Sequence, residues 1–352
     1  MGKGTILWWG RSDANYSRNR ILRQILQRHG WRLVDFHPKL SPLGDIEALL
    51  RRLPRPDLVW VPCFRQRDLH AARRHARRLG VPLLFDPLIS SYDKQVFERR
   101  KLAEGSTAAE RLRRSEGRMM QAADLLLADT LEHARFFAGP LGAAPARIHV
   151  VPVGAEEELF LPQPPHPPAT PIEVLFYGSF IPLQGVETIV AAARLAPEIR
   201  WTLLGKGPLL ASCVEAAKDL ANVRFESWIA YDQLPQRIGA ADILLGVFGT
   251  TPKAARVIPN KVYQSLACAR PVITLDSGVY GDAVRAANRG GMAFVPAGDP
   301  AALAQAVRDW SASPATLAER GANARQIYDT AFSVSAIETA LDGALATLLP
   351  GR

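Results

Sequence analysis

Three cations, Lys253, Arg256 and Lys261, crowd the stretch FGTTPKAARVIPNKVYQSL at 248–266, which follows an apolar run ending at Gly246 and leads into a helix that Pro259 can open. A helix N-terminus presents unsatisfied backbone N–H groups and the positive end of the helix dipole, so cations gathered beside it suit a diphosphate. Two further segments invite the same reading. GSFIPLQG at 178–185 and GKGP at 205–208 join strand ends to helix starts, and their glycines let backbone N–H groups approach a phosphate, with Lys206 as an added cation. Each loop alone reads equally as an ordinary strand-to-helix connection. Earlier in the chain, Gly10, Arg11, Ser12 and Asp13 follow the first apolar run, with Tyr16 and Arg18 a few positions on, and Asp86 in FDPL follows another. A carboxylate there could orient or deprotonate a hydroxyl, or cap a turn. His29, His70 and His75 fall on basic helical stretches and are expected at the surface.

These loops need strands to hold them. Short β-rich apolar runs alternate with helical periodicity and predict strands over 5–9, 32–36, 57–61, 82–85, 124–127 and 147–151, with helical material over 94–122. LPQPPHPPATP at 161–171 cannot continue a helix or a central strand and is expected to be a stiff linker. A second series then predicts strands over 172–177, 200–204, 223–226, 242–246, 271–275 and 292–295, followed by helices to the C-terminus. The expectation is an α/β chain of two doubly wound parallel sheets, with ligands in a cleft at their carboxyl ends.

Length and composition agree: 352 residues, 48% hydrophobic and 22% charged, suit two globular cores and leave no room for long disorder. Residues 1–168 carry 27 Lys+Arg against 18 Asp+Glu, whereas 169–352 carry 16 of each, so the net charge of +9 lies in the first half. Solvated helix faces account for most of it; attraction to an anionic membrane surface is the other reading kept, and nucleic acid is not expected because no such module accompanies the charge. Cys63, Cys213 and Cys268 lie far apart and are expected as buried thiols. No apolar run is long enough to span a membrane, the start lacks a signal-peptide pattern, and Ile6 stands where a myristoylation motif at Gly2 would need Ser or Thr. The expected location is the cytoplasm, with peripheral attachment at the inner membrane face.

Several segments occur in the order found in one family. ADLLLADT at 123–130, HVVPVGAEEELFLP at 149–162, GSFIPLQG, WTLLGKGP at 201–208, RVIPNKVYQSLACARPVIT at 256–274 and FVPAGDP at 294–300 together resemble the family-4-like glycosyltransferases (glycosyl transferases group 1) over nearly the whole chain. The resemblance implies the GT-B fold: two Rossmann-like domains facing a central cleft, an acceptor domain at 1–165, a nucleotide-sugar domain at 166–332 and a C-terminal helix at 333–352 crossing back to the first. It implies a transferase moving a sugar from a nucleotide-diphosphate donor to a hydroxyl acceptor, lipid-linked or free, with retention, in surface polysaccharide or glycolipid assembly. The donor sugar is substrate; no cofactor is expected. No Asp-x-Asp is found, so no metal site is expected either.

Residue by residue, the catalytic candidates are Asp86, Arg256 and Lys261. The donor-binding candidates are Gly10, Arg11, Ser12, Gly178, Ser179, Gln184, Gly205, Lys206, Lys253, Pro259, Asn260 and Gln264, with Trp228 and Ile229 against the base. The chain departs from the family pattern at Ser179 and Gln184, where the phosphate loop often has Arg and Lys, and at Arg256 and Gln264, which occupy the two glutamate positions of the E-seven-E motif. An amide at Gln264 can still bond a ribose hydroxyl, and Lys253, Arg256 and Lys261 are expected to take over the diphosphate. The alternatives are a non-catalytic protein that binds a nucleotide sugar or a partner, and a sugar-nucleotide 2-epimerase.

Overall fold

Runs such as Leu58–Val61 and Leu125–Ala128 are apolar at every position and buried throughout, the signature of strands covered on both faces. The computed structural model describes residues 3–350 and builds two six-stranded sheets from such runs; Gly2 lies outside the described residues. The first sheet contains β1 (Gly4–Trp9), β2 (Trp31–Phe36), β3 (Leu58–Val61), β4 (Leu83–Phe85), β5 (Leu125–Ala128) and β6 (Ile148–Val150), in the order β2-β1-β3-β4-β5-β6. The second contains β7 (Glu173–Ser179), β8 (Arg200–Lys206), β9 (Val223–Glu226), β10 (Ile243–Leu245), β11 (Val272–Leu275) and β12 (Met292–Val295), in the order β12-β11-β10-β7-β8-β9. All the pairings are parallel. The strand order reverses between β1 and β3 in one sheet and between β7 and β10 in the other, so the carboxyl ends of those strands are where such sheets leave a crevice for ligands.

The chain divides into two compact units: residues up to Val153 together with those from Ile337 on, and Gly154–Ala336. The core of the first joins Leu7, Val59, Phe85 and Leu126 to Ala72, Ala76 and Met120 of its helices, with Trp8 stacked on Trp60 at 5.2 Å. The core of the second gathers Val174, Phe176, Trp201, Leu203 and Ile273 against Ile189, Ala193 and Val307.

Three local expectations change. The helical material expected over 94–122 comes in two pieces: a helical turn at Lys94–Glu98, and a helix, Thr107–Ala122, that starts where Ser106 accepts from the Ala109 N–H and Gly105 takes φ +74°. The proline-rich segment is tied into the second unit. The buried Arg270 guanidinium donates to the carbonyls of Gln163 and Pro164, and Asp242 accepts from the N–H groups of Ala169 and Glu173. His75 is buried, 5% exposed, with its ring 5.2 Å from that of Trp9. Its position on Leu69–Leu79, one turn beyond Ala72, puts it on the inner face, and burial lowers its pKa. The three cysteines are buried thiols. Among the described residues no helix is long and apolar enough to cross a membrane.

Candidate functional site

In the second unit, the carboxyl ends of β7 and β10 gather the cation-rich segment. The loop after β10 runs to a short turn, Ala254–Arg256, and then to the helix Asn260–Ala267, whose N-cap is Pro259 with ψ 151°. Pro259 holds the extended entry and Asn260 opens the helix, so the N–H groups of Asn260 and Lys261 have no intrahelical acceptor, while that of Val262 donates to the Pro259 carbonyl at 2.9 Å. Lys261, in the first turn, points back under β7. Its Nζ donates to Gln184 Oε1 at 2.6 Å and lies 3.6 Å from the centre of the Phe176 ring. It is 5% exposed and forms no salt bridge among the described residues, so burial drives its pKa well below the ordinary lysine value.

Gly178 makes this placement feasible. It has φ +147°, and a Cβ there would sit 3.0 Å from Lys261 Nζ. Gly249 is needed for a different contact, since a Cβ would meet the Leu183 carbonyl oxygen at 2.4 Å and push apart the loops after β10 and β7. Phe248 N–H donates to the Gln184 carbonyl at 3.0 Å and holds the same two loops together.

A hydrogen-bonded chain continues from this point. The Tyr177 hydroxyl reaches the Lys261 carbonyl at 3.1 Å and Gln264 Oε1 at 3.2 Å. Gln264 Nε2 donates to the Tyr231 hydroxyl at 3.1 Å, which donates to Glu156 Oε2 at 2.7 Å. Gln264 is 4% exposed, and its amide is therefore oriented by both tyrosines. The sequence singled out Gln184, Lys261 and Gln264 but missed Phe176, Tyr177, Tyr231 and Glu156, because nothing in their spacing says that a strand end, a loop and the start of the unit converge on one helix.

The remaining candidates of this unit are more dispersed. Gly205 and Lys206 pair in register with Gly178 and Ser179, which puts all four on one edge, with Ser179 and Lys206 exposed. Lys253 is 4% exposed and Arg256 half-buried, both on the turn before the helix. Trp228, just beyond β9, is 46% exposed, and Ile229 beside it is half-buried.

The first unit's candidates lie at its own carboxyl edge. Gly10 is buried, Arg11 exposed, and Ser12 accepts from Trp8 Nε1 at 3.0 Å. Asp86, at the end of β4, is fully buried, and both its oxygens accept from Arg18 Nε, at 3.0 and 2.7 Å. Arg18 Nη1 donates to the Val151 carbonyl at 2.8 Å, so the pair ties the helix Ser17–Arg28 to the ends of β4 and β6. Burial pushes the Asp86 carboxyl up while Arg18 pulls it down. This geometry gives Asp86 a positioning task and leaves no oxygen exposed to an acceptor.

Beside the pair, His133 Nδ1 is 2.5 Å from Asp129 Oδ1, and Nε2 is 3.8 Å from Asp93 Oδ2. Burial opposes the imidazolium, but the two carboxylates outweigh it and raise the pKa to about 9. Glu116, held up by burial, accepts from Ser90 Oγ and from the Ser91 and Tyr92 N–H groups at 2.6–2.8 Å and fixes the loop after Asp86. Asp129, Glu116 and His133 were not singled out by the sequence. Among the described residues no group of three or more His, Cys, Asp or Glu side chains is placed to hold a metal ion.

The architecture and the motifs are shared with known proteins. A family model described as glycosyl transferases group 1 matches residues 171–312, and one described as glycosyl transferase 4-like domain matches 13–154. A D-inositol 3-phosphate glycosyltransferase of Gordonia bronchialis is 29% identical over 273 residues, 70% of this chain and 57% of that protein. The chain thus spans little more than half the length of this curated relative. HepE of Anabaena, solved in complex with UDP, superposes with a TM-score of 0.72 at 15% identity, covering 99% of this chain and all of that one. Sucrose-phosphate synthase from Thermosynechococcus elongatus gives 0.76 at 18% identity with the same coverage. These structures share the two-sheet α/β fold, GT-B, and with both halves matched by the family's models the chain belongs to the group 1, family-4-like glycosyltransferases.

Proposed function

We propose that the protein is a glycosyltransferase that moves a sugar from a nucleotide-diphosphate donor to a hydroxyl acceptor. The observation that carries this reading is Lys261: a buried amine that among the described residues has only an amide oxygen and a ring for partners, in the first turn of the helix Asn260–Ala267. Sugar transfer develops negative charge on the leaving diphosphate, and a preorganised cation in a dry site stabilises it far better than one in water. A diphosphate arriving here would restore the proton on Lys261. Gln184, in the place of a usual cation, holds that amine in position. Gln264, oriented by Tyr177 and Tyr231, is the ribose partner, and exposed Trp228 offers its face to the base.

The reaction proceeds with retention and without a metal, the leaving phosphate taking the acceptor's proton, and Asp86 acts through Arg18. The acceptor is anionic or lipid-linked, met by the basic first unit in peripheral association with an anionic membrane, in surface polysaccharide or glycolipid assembly. Support for a nucleotide donor also comes from neighbours of the same fold solved with UDP and with UDP-glucose. A thermal-shift screen against UDP, GDP, ADP and TDP and their sugars, with and without EDTA, tests the reading. A chelator-insensitive shift with one nucleotide, followed by release of that nucleotide from its sugar, is expected. No shift with any of them would sink it, and binding without turnover on any acceptor would leave a non-catalytic binder.

A further inference from the structure

The segment following β2 breaks the usual rule for a surface helix. In Gly44–Leu50 the buried positions are Gly44, Asp45 and Ala48, and the exposed ones, Ile46, Leu49 and Leu50, are apolar, with Glu47 half-buried. Leu40, Leu43, Ile46, Leu49 and Leu50 are 61%, 50%, 50%, 58% and 77% exposed. They form one ridge, because 43, 46 and 50 recur at helical spacing and 49 lies beside them. Five of the twelve exposed large hydrophobics among the described residues thus fall within eleven consecutive positions, where scattered ones would need no explanation. The ridge is held rigidly outward. Asp45 is clamped by Arg74 Nη2 and Nε at 2.6 and 3.0 Å, Arg74 also donates to the Pro42 carbonyl, and a Cβ on Gly44 would meet the Trp9 ring at 3.0 Å.

Among the described residues the charges around the ridge that make no salt bridge are of one sign. Both acids of the helix have partners, Asp45 with Arg74 and Glu47 with Arg51. Arg52 and Arg77 are exposed and make no salt bridge among the described residues, and Arg55 and Lys39 add to them. We propose that this ridge docks the first unit on an anionic lipid bilayer, with Leu43, Ile46, Leu49 and Leu50 among the acyl chains and Arg51, Arg52 and Arg55 at the headgroups. The inference rests on the membrane-associated reading above and adds the surface that carries it; it is independent of the donor chemistry. A helix of this length lies in the interface and does not span. Charge decides against a second copy of the chain as occupant, since self-association through the ridge would bring two sets of arginines together, whereas anionic headgroups complement them.

The test is flotation of the full chain with vesicles of phosphatidylcholine alone and of phosphatidylcholine with roughly one third phosphatidylglycerol. Binding only to the anionic vesicles is expected. Ile46→Glu with Leu50→Glu should weaken it tenfold or more, and Arg52→Glu with Arg55→Glu by a similar factor, while the nucleotide-induced thermal shift of each variant stays that of the parent. Because all four positions are exposed, that shift also reports that the variants fold. Absence of binding by the parent, or equal binding by the Ile46→Glu, Leu50→Glu variant, would overturn the proposal. So would light scattering that shows a dimer in the parent and a monomer in that variant, which would assign the ridge to a second copy. A donor screen that fails while flotation succeeds would separate the failure of the transferase reading from that of this one.

Discussion

The two sheets end in carboxyl edges of opposite character. In the first unit the buried charges answer one another: Arg18 lies against Asp86, and His133 sits between Asp129 and Asp93. In the second, one buried cation, Lys261, has an amide oxygen and an aromatic ring for company, and burial drives it toward neutrality. An ion already paired in a low-dielectric setting has little left to offer a ligand, while a buried amine without a counter-ion gains most when an anion arrives. On the proposed function, the first edge does structural work and the second meets the diphosphate.

The largest expected effect tests the structural half. Asp86→Ala leaves the Arg18 guanidinium buried without its carboxylate and should destabilise the protein by about 3–5 kcal/mol in urea unfolding. Arg18→Met combined with Asp86→Leu should recover most of that loss, because the desolvation cost disappears with the pair. If Asp86→Asn instead abolished transfer at unchanged stability, the first edge would be chemical and the contrast would fall.

His133 gives the next effect. Its folded pKa is raised from 6.5 to about 9. A raised folded pKa contributes stability that is fully present below pH 6.5 and is lost as the pH climbs through about 9. The loss should be on the order of 3 kcal/mol across that window. His133→Gln should flatten the dependence; a parent protein equally stable at both ends would show that the imidazole is not held as a cation.

The same contrast explains what could be read from residues alone. All twelve strands were legible because buried parallel strands are continuous apolar runs bounded by turn residues, and two sheets followed from the proline-rich break. Lys261 and Gln264 were legible because they share one helix turn with a motif. The break near Gly105 was hidden by helical periodicity on both sides, and His75 by its basic neighbours. The Arg18–Asp86 pair spans 68 positions and the Tyr231–Glu156 bond 75, and no local pattern encodes such a meeting. The outward apolar face of Gly44–Leu50 was missed because an amphipathic pattern does not say which of its faces is turned inward.

Lys261 supplies the third prediction. Lys261→Ala should weaken nucleotide-diphosphate binding roughly 30- to 100-fold, about 2–3 kcal/mol, while stability holds or rises because a desolvated amine is removed. Since the free amine is depressed and a bound diphosphate favours the ammonium, binding should take up a proton and weaken as pH rises. Calorimetry in buffers of different ionisation enthalpy measures that uptake. Unchanged affinity in Lys261→Ala would place the diphosphate elsewhere and remove the basis of the comparison.

The smallest expected effect is the most discriminating within the second edge. Tyr231→Phe removes the acceptor of Gln264 Nε2, leaves a buried N–H without a partner, and should cost about 1 kcal/mol of stability. If the amide's orientation serves a ribose hydroxyl, the parent should prefer a ribonucleoside diphosphate over its 2′-deoxy analogue. That preference should shrink several-fold in Tyr231→Phe while the affinity for the deoxy analogue barely changes. Because Tyr231 is 38% exposed and Phe160 packs against its ring at 5.6 Å, the phenylalanine keeps the packing and isolates the hydroxyl. A ribose preference that survives unchanged would make Gln264 a strut between Tyr177 and Tyr231, and the polar chain running to Glu156 would then belong to the architecture of the unit, as the Arg18–Asp86 pair does in the other.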